Sequence, residues 1–535
     1  MMISPKPIRL SGRIFCGQSW LNNGKMTKIL STTTMPTLSQ QPTIVAIASP
    51  IGQGGVGVIR LSGRTAHAIG CAISGKSTLT PRHAHFAKFK DNTGAVIDEG
   101  VIIYFNAPHS FTGEDVVELQ GHGGMVLQNL LLARCFELGA KQATAGEFSM
   151  RAFENDKIDL VQAEAIADAI SATSVAQASS AMRSLSGEFS KKINELSEKI
   201  ANIRLYVEAS IDFPDEDDVE FLSDGVIESK IDEILRAIDD ILVTAKQGQL
   251  LRDGVQVVLA GKPNAGKSSL LNRLAGVERA IVTDIAGTTR DTLSETLVLD
   301  GLTVHLTDTA GLRDTSDKVE KIGIDRAKSA VKQADILLFV YDVSSESEPF
   351  ILAKELFADI IDEIGMENFE RKLVMIANKA DLLGDVSRET MADFNPNNNH
   401  NDNQNGENVP RETIQNSLNN LNNQDDSNVP RETISQIRVS CTTGQGLDDL
   451  VGLLKDKVGF HPPENSLIAR TRHIDALKRA KSHVTDAHTQ LVVYQAGELV
   501  AESLRLSQTA LGEITGQMTA DELLGRIFSS FCIGK

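Results

Sequence analysis

Cysteine is scarce in this 535-residue chain, and no long apolar run occurs anywhere along it. The five cysteines (Cys16, Cys71, Cys135, Cys441 and Cys532) are odd in number and show no metal-ligand spacing. That excludes a disulfide scaffold and fits a reducing cytosol, so the protein is read as cytoplasmic. No apolar stretch approaches the roughly 20 residues that cross a bilayer, so no membrane partner is expected. Positive charge is in deficit too: 53 Lys and Arg against 71 Asp and Glu give a net charge of −18. A surface coated in nonspecific nucleic-acid affinity is thereby excluded, although a local basic patch is not. The amino-terminal segment lacks the apolar core of a secretory signal. Residues 1–41 are expected to be a disordered extension, basic through Lys6, Arg9, Arg13, Lys25 and Lys28, with Met26 and Met35 as alternative starts. The rest is long enough for two to four domains with adequate cores.

What the chain does have is Gly261-Lys262-Pro263-Asn264-Ala265-Gly266-Lys267-Ser268, a G-x-x-x-x-G-K-S loop. It follows an apolar strand-like run, Val255–Ala260, and leads into helical spacing from Ser269. Glycines let backbone N–H groups turn toward a polyphosphate, and the helix N-terminus adds partial positive charge. Lys267 can reach the terminal phosphates, and the Ser268 hydroxyl can ligate magnesium.

Three further motifs follow in order: Gly287-Thr288-Thr289-Arg290-Asp291, Asp308-Thr309-Ala310-Gly311 and Asn378-Lys379-Ala380-Asp381. Asp308 ends an apolar strand, Leu302–Thr307, so its carboxylate emerges beside the phosphates to hold magnesium through water. The Gly311 N–H can contact the terminal phosphate, so a loop starting there senses hydrolysis. Asp381 can accept two N–H bonds from a guanine edge, and Ser440-Cys441-Thr442 after Ile437–Val439 suits a backbone contact to the guanine oxygen. Each motif alone is weak, but in this order and spacing they specify a guanine-nucleotide hydrolase. Leu312 stands where Ras-like proteins carry a water-orienting glutamine. An aliphatic chain cannot orient water, which leaves Asp314, Asp317 and Glu320 as candidates or as plain loop acids.

Residues 42–157 alternate strand-like runs (Thr43–Ala48, Gly57–Leu61, Val101–Phe105, Val116–Gln120) with glycine-rich turns and read as an α+β domain. His122, between glycines, reads as a turn residue with a ligand contact as the alternative. Residues 158–251 turn helical, 252–460 hold the nucleotide motifs, and 461–535 are helical again. That order implies a nucleotide domain inserted into one discontinuous helical domain. Within it, residues 393–436 are Asn-rich and carry a repeat, Asn408–Ile414 recurring at Asn428–Ile434 with a degenerate copy at Val386–Thr390. So few short copies build no core, so a disordered surface insertion is expected, with partner docking as the alternative. Arg470, Arg472, His473, Lys478, Arg479 and Lys481 form a basic cluster that reads equally as a solvated helix face or an RNA contact. Cys532, four from the end in Phe531-Cys532-Ile533-Gly534-Lys535, makes a poor prenylation site because Gly534 and Lys535 do not fit one. It reads as a small apolar residue or as a thiol delivered to a shared site.

Taken together, these motifs closely resemble the bacterial and organellar tRNA-modification GTPases of the MnmE/TrmE family. The matching residues include Gly54–Gly63, Ser110–Gly124, Gly146-Glu147-Phe148, Arg151-Ala152-Phe153, Asp159-Leu160 and Gln162–Ala165, besides the nucleotide motifs and the terminal five residues. The resemblance spans roughly 42–392 and 437–535. Ala145 departs from it, since the family usually has proline there.

The resemblance implies a multidomain α/β protein with an α+β amino-terminal domain that binds folate and dimerises, a discontinuous helical domain, and an inserted Ras-like P-loop GTPase domain. Arg60, Glu118 and Lys157 would contact 5-formyl- or methylene-tetrahydrofolate, the cations suiting the glutamate tail and the carboxylate the pterin edge. GTP would be held by Asn264, Ala265, Gly266, Lys267, Ser268, Ser269, Thr283, Asp284, Ile285, Ala286, Gly287, Thr288 and Thr289. Asp308, Thr309, Ala310, Gly311, Asn378, Lys379, Ala380, Asp381, Ser440, Cys441 and Thr442 would complete that site. Magnesium would sit on Ser268 and Thr289, and potassium on Asn264, Thr283, the Ile285 backbone and Thr288. Hydrolysis would be activated when the G domains of a homodimer meet around potassium, with Lys267 on the phosphates and Glu320 orienting the water. With a separate FAD-dependent partner, in a heterotetramer or larger assembly, the dimer would add an aminomethyl or carboxymethylaminomethyl group at C5 of the tRNA wobble uridine, and Cys532 would take part. Two alternatives are a GTP-dependent dimerising switch or scaffold without RNA chemistry, and a GTP-regulated folate-dependent one-carbon transferase acting elsewhere.

Overall fold

The computed structural model describes residues 41–50, 52–212, 225–276, 294–308, 329–383, 434–462, 466–517, 521–531 and 534. Its amino-terminal unit is a six-stranded sheet of β1 (Ile44–Ile47), β2 (Gly57–Ser62), β3 (His85–Lys90), β4 (Val96–Phe105), β5 (Val116–Gly121) and β6 (Lys141–Gln142). The order is β3-β4-β5-β2-β1-β6, with antiparallel pairing except where β6 runs parallel to β1. Helices α1 (Ala66–Ser74) and α2 (Met125–Glu137) contribute Ile69, Ile73 and Leu131 to a core with Val45, Ile59 and Leu61. The sequence reading found four of these strands. It missed His85–Lys90, whose alternate residues Phe86, Lys88 and Lys90 face outward while Ala87 and Phe89 are buried. Strand β4 also begins at Val96 rather than Val101, because the polar start of the run is internal: Asp98 is buried and bound by His122.

Helix α3 (Glu147–Glu154) leads to the helical domain, which begins with α4 (Leu160–Ser171), α5 (Val175–Leu185), α6 (Glu188–Asp212) and α7 (Val226–Asp253). Helix α6 buries Phe189, Ile193, Leu196, Ile200, Ile203 and Val207, and these four-three spacings define a coiled-coil-like seam. Helix α7 answers with Ile227, Ile231, Ile234 and Ile238. The same core takes Leu477, Val484, Leu504 and Leu511 from helices that follow the nucleotide domain. Burying each such aliphatic side chain stabilises by about 1.5–3 kcal/mol, enough to join two chain segments across a large insertion. The helical domain is therefore discontinuous, as the sequence implied.

The inserted domain is a second six-stranded sheet, built from β7 (Val255–Ala260), β8 (Ser294–Leu299), β9 (Leu302–Asp308), β10 (Ile336–Asp342), β11 (Leu373–Asn378) and β12 (Ser435–Arg438). Its order is β12-β11-β10-β7-β9-β8, parallel except for β8. Apolar cores on both faces explain why β10 and β11 are continuous apolar runs rather than alternating ones. Helices α8 (Lys267–Gly276), α9 (Pro349–Leu356), α10 (Ala358–Ile364), α11 (Met366–Lys372) and α12 (Leu447–Lys457) cover it. Ser435 and Gln436 correct the sequence reading, which put them in the insertion: they pair with Val374 and Met375 in the sheet. The polar sequence Ser-Gln-Ile-Arg hid an edge strand. The rest of that segment up to residue 433 and the amino-terminal extension to residue 40 lie outside the described residues.

After the inserted domain come α13 (Thr471–Thr489), α14 (Gly497–Thr515) and α15 (Asp521–Ser529). The basic cluster divides: Arg470, Arg472 and His473 turn inward onto α4, whereas Lys478 and Arg479 stay on an exposed helix face. Arg472 donates to both carboxylate oxygens of Glu164, at 2.8 and 2.6 Å, and His473 Nε2 lies 3.0 Å from the same carboxylate. Arg470 donates to Asp168 at 2.7 Å. Farther along, Lys478, Arg479 and Lys481 meet Asp475, Glu513 and Asp239. Apart from Lys478, which pairs along its own helix, and Arg479, which pairs with α14, the cluster ties the two chain segments of the helical domain together.

Candidate functional site

The phosphate loop runs from the end of β7 to the first residue of α8, so a helix N-terminus opens directly onto it. Gly266 adopts φ +96, and a Cβ there would run into Asn378 Nδ2, so only glycine fits. Asn264 also adopts a left-handed φ of +64, which asparagine tolerates better than other side chains. Lys267 is buried and folds back over the loop, its ammonium donating to the carbonyls of Gly261 and Lys262 at 2.9 Å each. Ser268 and Ser269, the next residues of the helix, are exposed. Helix dipole, oriented N–H groups and a lysine make this an anion site suited to phosphate.

The base-recognition motifs converge on the same loop. Asn378, the last residue of β11, donates through Nδ2 to the carbonyl of Ala265 at 2.9 Å. Its side-chain oxygen accepts from Cys441 Sγ at 3.3 Å. Lys379, at φ +64, reaches Asp342 at 2.6 Å, and with Ser344 it holds the Asp342 carboxyl down to about 2. The Ala380 N–H donates to the carbonyl of Val439 at 3.1 Å, tying the motif to the strand before Ser440. Ser440 Oγ donates to Asp381 at 2.6 Å, which fixes that carboxylate, and Thr442 is exposed beside it. Burial raises the Cys441 thiol pKa, so it serves as a neutral donor. Asp308 ends β9 opposite Leu259 of β7. The structure thus brings together Asn264 to Ser269, the strand end at Asp308, Asn378 to Asp381, and Ser440 to Thr442. Thr283, Asp284, Ile285, Ala286, Gly287, Thr288, Thr289, Thr309, Ala310, Gly311, Leu312, Glu320 and Cys532 lie outside the described residues.

A second polar centre lies on the amino-terminal sheet. Arg60 on β2 and Glu118 on β5 are direct cross-strand partners, and Arg60 donates to the Glu118 carboxylate at 3.0 Å. The guanidinium also lies 5.9 Å from the ring centres of both Phe111 and Phe148, a cation–π arrangement on two sides. Lys157 is exposed, and its stem borders Gly113 in the loop that carries Phe111. Other motif residues lock this loop. The buried Arg151 bridges Glu114 at 3.0 Å and Glu147 at 2.8 Å, and Ser62 donates to Glu114 at 2.6 Å.

His122 meets Asp98 at 2.6 Å while its imidazole stays 64 % exposed. The Asp98 contact raises the His122 pKa. Burial works against Asp98 ionisation, but the His122 hydrogen bonds still hold its pKa below the usual value. The pair braces the Gly121–Gly124 turn, which supports the turn reading of His122.

Sequence reasoning did not find where the carboxyl terminus goes. Phe528 and Phe531 share a cluster with Leu160 and Ala163, and the Phe528 ring lies 6.2 Å from that of Phe153. Gly534, at φ +96, sits so close to β1 that a Cβ would strike the carbonyl of Ile47. Ala46, the residue before Ile47, is the register partner of Arg60. Gly534 therefore lies on the amino-terminal sheet beside the Arg60 row, while Phe531 packs where α3 meets α4. Only the family-specific wording of the last five residues hinted at this.

Among the described residues no group of His, Cys, Asp and Glu is arranged to hold a metal ion, and no helix is long and apolar enough to cross a membrane. Residues 160–532 match the family model described as MnmE helical domain, and residues 43–157 match GTP-binding protein TrmE N-terminus. The chain is similar to the tRNA modification GTPase MnmE of Psychrobacter sp. (strain PRwf-1), with 63 % identity over 93 % of this chain and 100 % of that one. It is 61 % identical to the relative of the same name in Psychrobacter arcticus, over 93 % of this chain and 97 % of that one. With the Acinetobacter baumannii (strain AYE) relative it shares 52 % over 94 % of this chain and 100 % of that one.

Proposed function

The chain belongs to the MnmE family of tRNA modification GTPases, a GTP hydrolase acting in tRNA modification, and from that premise we propose how its two polar centres divide the work. The nucleotide domain is the drive. GTP would bind with its phosphates on Asn264 to Ser269 and its guanine edge on Asp381, with Lys267 turning from the Gly261 and Lys262 carbonyls to the terminal phosphates. Ser268 and Thr289 would hold magnesium, with Asp308 reaching it through water, and the ion would neutralise phosphate charge. The exposed, left-handed Asn264 is suited to contribute an oxygen to potassium, alongside Thr283, the Ile285 backbone and Thr288. A monovalent cation there supplies positive charge next to the phosphates, the role an arginine finger has in other GTPases. Glu320 takes over the water-orienting task that Leu312 cannot perform. The active form is a homodimer, working in the cytoplasm.

The amino-terminal domain with the docked tail is the chemical centre. One observation supports this reading: Gly534, two residues after Cys532, packs against β1 next to the strand position opposite Arg60. Arg60 and Lys157 present cations for the glutamate tail of 5-formyl- or methylene-tetrahydrofolate, and Glu118 presents an acceptor for the pterin N–H edge. The aromatic rings on Arg60 keep that guanidinium oriented. A one-carbon unit bound there would lie near Cys532, and a FAD-dependent partner would complete the modification at C5 of the wobble uridine.

The test is a calorimetric titration of the intact protein with 5-formyltetrahydrofolate. Binding is expected, and Arg60→Ala should weaken it by about 10- to 100-fold, the cost of losing a charge-assisted contact. GTP affinity should not change. Unaltered folate affinity in Arg60→Ala would remove that residue from the site.

A further inference from the structure

The nucleotide domain is tied at its root to the helical domain by a polar junction that nucleotide binding does not use. Helix α7 ends at Asp253 and β7 starts at Val255, so this is where the chain enters the nucleotide domain. Arg470, just before α13, lies where the chain has left it again. Asp168 on α4 grips both points with one oxygen: Oδ1 accepts from Arg252 Nε at 2.9 Å and from the Arg470 guanidinium at 2.7 Å. Beside it, the buried amide of Gln177 on α5 donates to the carbonyl of Leu251 at 2.7 Å and to Thr303 Oγ1 at 3.0 Å. His305 Nε2 meets the carbonyl of Asp253 at 3.1 Å, so that nitrogen carries the proton and Nδ1 faces the Thr296 hydroxyl at 3.1 Å.

Thr303 and His305 belong to β9, whose other end is Asp308. Because β9 is hydrogen-bonded on both sides, to β7 and to β8, it shifts as a unit. One end leads into the Asp308-Thr309-Ala310-Gly311 motif, and the other is held by the helical domain. A buried carboxylate shared by two guanidiniums does not yield gradually, because losing either partner leaves charge uncompensated. The junction therefore moves as a body or exchanges partners whole, which is the property a coupling element needs.

We propose that Asp168 and Gln177 are positioning residues through which the nucleotide state at the Asp308 end of β9 is passed to the helical domain. Neither touches nucleotide. The inference rests on GTP hydrolysis alone and stands apart from the folate and potassium assignments.

Amide hydrogen exchange on the full chain, loaded with a non-hydrolysable GTP analogue or with GDP, tests it. In the unaltered protein, peptides covering α4 and α5 should differ in protection between the two states. In Asp168→Asn and in Gln177→Ala that difference should shrink by about threefold or more, while peptides covering the phosphate loop still respond and GTP hydrolysis stays within about twofold. A purely structural role would instead lower protection equally in both nucleotide states and leave the difference intact, which would overturn the proposal. So would an unaltered protein whose α4 and α5 ignore the nucleotide. Gln177→Ala removes no charge, so it carries the test if Asp168→Asn does not fold.

Discussion

Replacing Glu164 with alanine is expected to destabilise the protein by about 3–5 kcal/mol, because it leaves the half-buried Arg472 guanidinium without its counter-charge and the buried His473 N–H without an acceptor. Glu164 is 2 % exposed and lies between Arg472 and His473. Burial alone would push its pKa up, but His473 and Arg472 hold it well below the usual carboxylate range. The imidazole is neutral: the Arg470 N–H donates to Nδ1 at 3.2 Å, so Nε2 bears the hydrogen that points at Glu164. Burial lowers the His473 pKa accordingly. Both groups thus have folded pKa values below their unfolded ones. The unfolded chain takes up more protons as pH falls, so the contribution of this cluster is complete above about pH 6.5 and is lost below it. His473 acts first, and Glu164 follows in the carboxylate range. Urea unfolding followed at pH 7.5 and 5.5 measures this directly. The unaltered protein should lose stability at the lower pH, and Glu164→Ala should be destabilised at both values with a pH response at least as large, because the carboxylate that raises the His473 pKa is gone. A loss under about 1 kcal/mol at pH 7.5 would mean that the cluster is a surface pairing in effect.

Exchanging potassium for sodium is expected to slow GTP hydrolysis by about one to two orders of magnitude, the scale on which removal of a transition-state charge stabiliser acts. The expectation follows from what the nucleotide site lacks and has. Leu312 offers no hydrogen bond to water, and the exposed Asn264 adopts a left-handed conformation at the turn of the phosphate loop. Sodium is smaller, so oxygens that suit potassium would contact it less completely. Steady-state hydrolysis in matched chloride salts decides the matter. Equal rates would remove Asn264, Thr283, Ile285 and Thr288 from any cation role.

The nucleotide half of the protein was legible because its chemistry dictates residue types at fixed spacings. Gly266 has to be glycine where it meets Asn378, and Lys267 has to begin a helix. The four-three spacing of Phe189, Ile193, Leu196 and Ile200 likewise announced a helical bundle. Contacts between distant parts of the chain left no such trace. Arg472 looked like a solvated or RNA-facing cation because its partner, Glu164, lies 308 residues away. The same holds for Gly534 on Ile47, and for Asp98, whose burial is offset chiefly by its bonds to His122. Single sequences encode local periodicity and ligand-facing chemistry plainly, whereas long-range charge pairs emerge only when the chain is folded.

We propose that GTP hydrolysis by this chain serves modification of the tRNA wobble uridine. Nucleoside mass spectrometry on tRNA from a strain lacking the protein tests it most directly. The aminomethyl-type groups at C5 of the wobble uridine are expected to disappear and to return when the full chain is restored. Wobble uridines that keep their normal modification without the protein would contradict it.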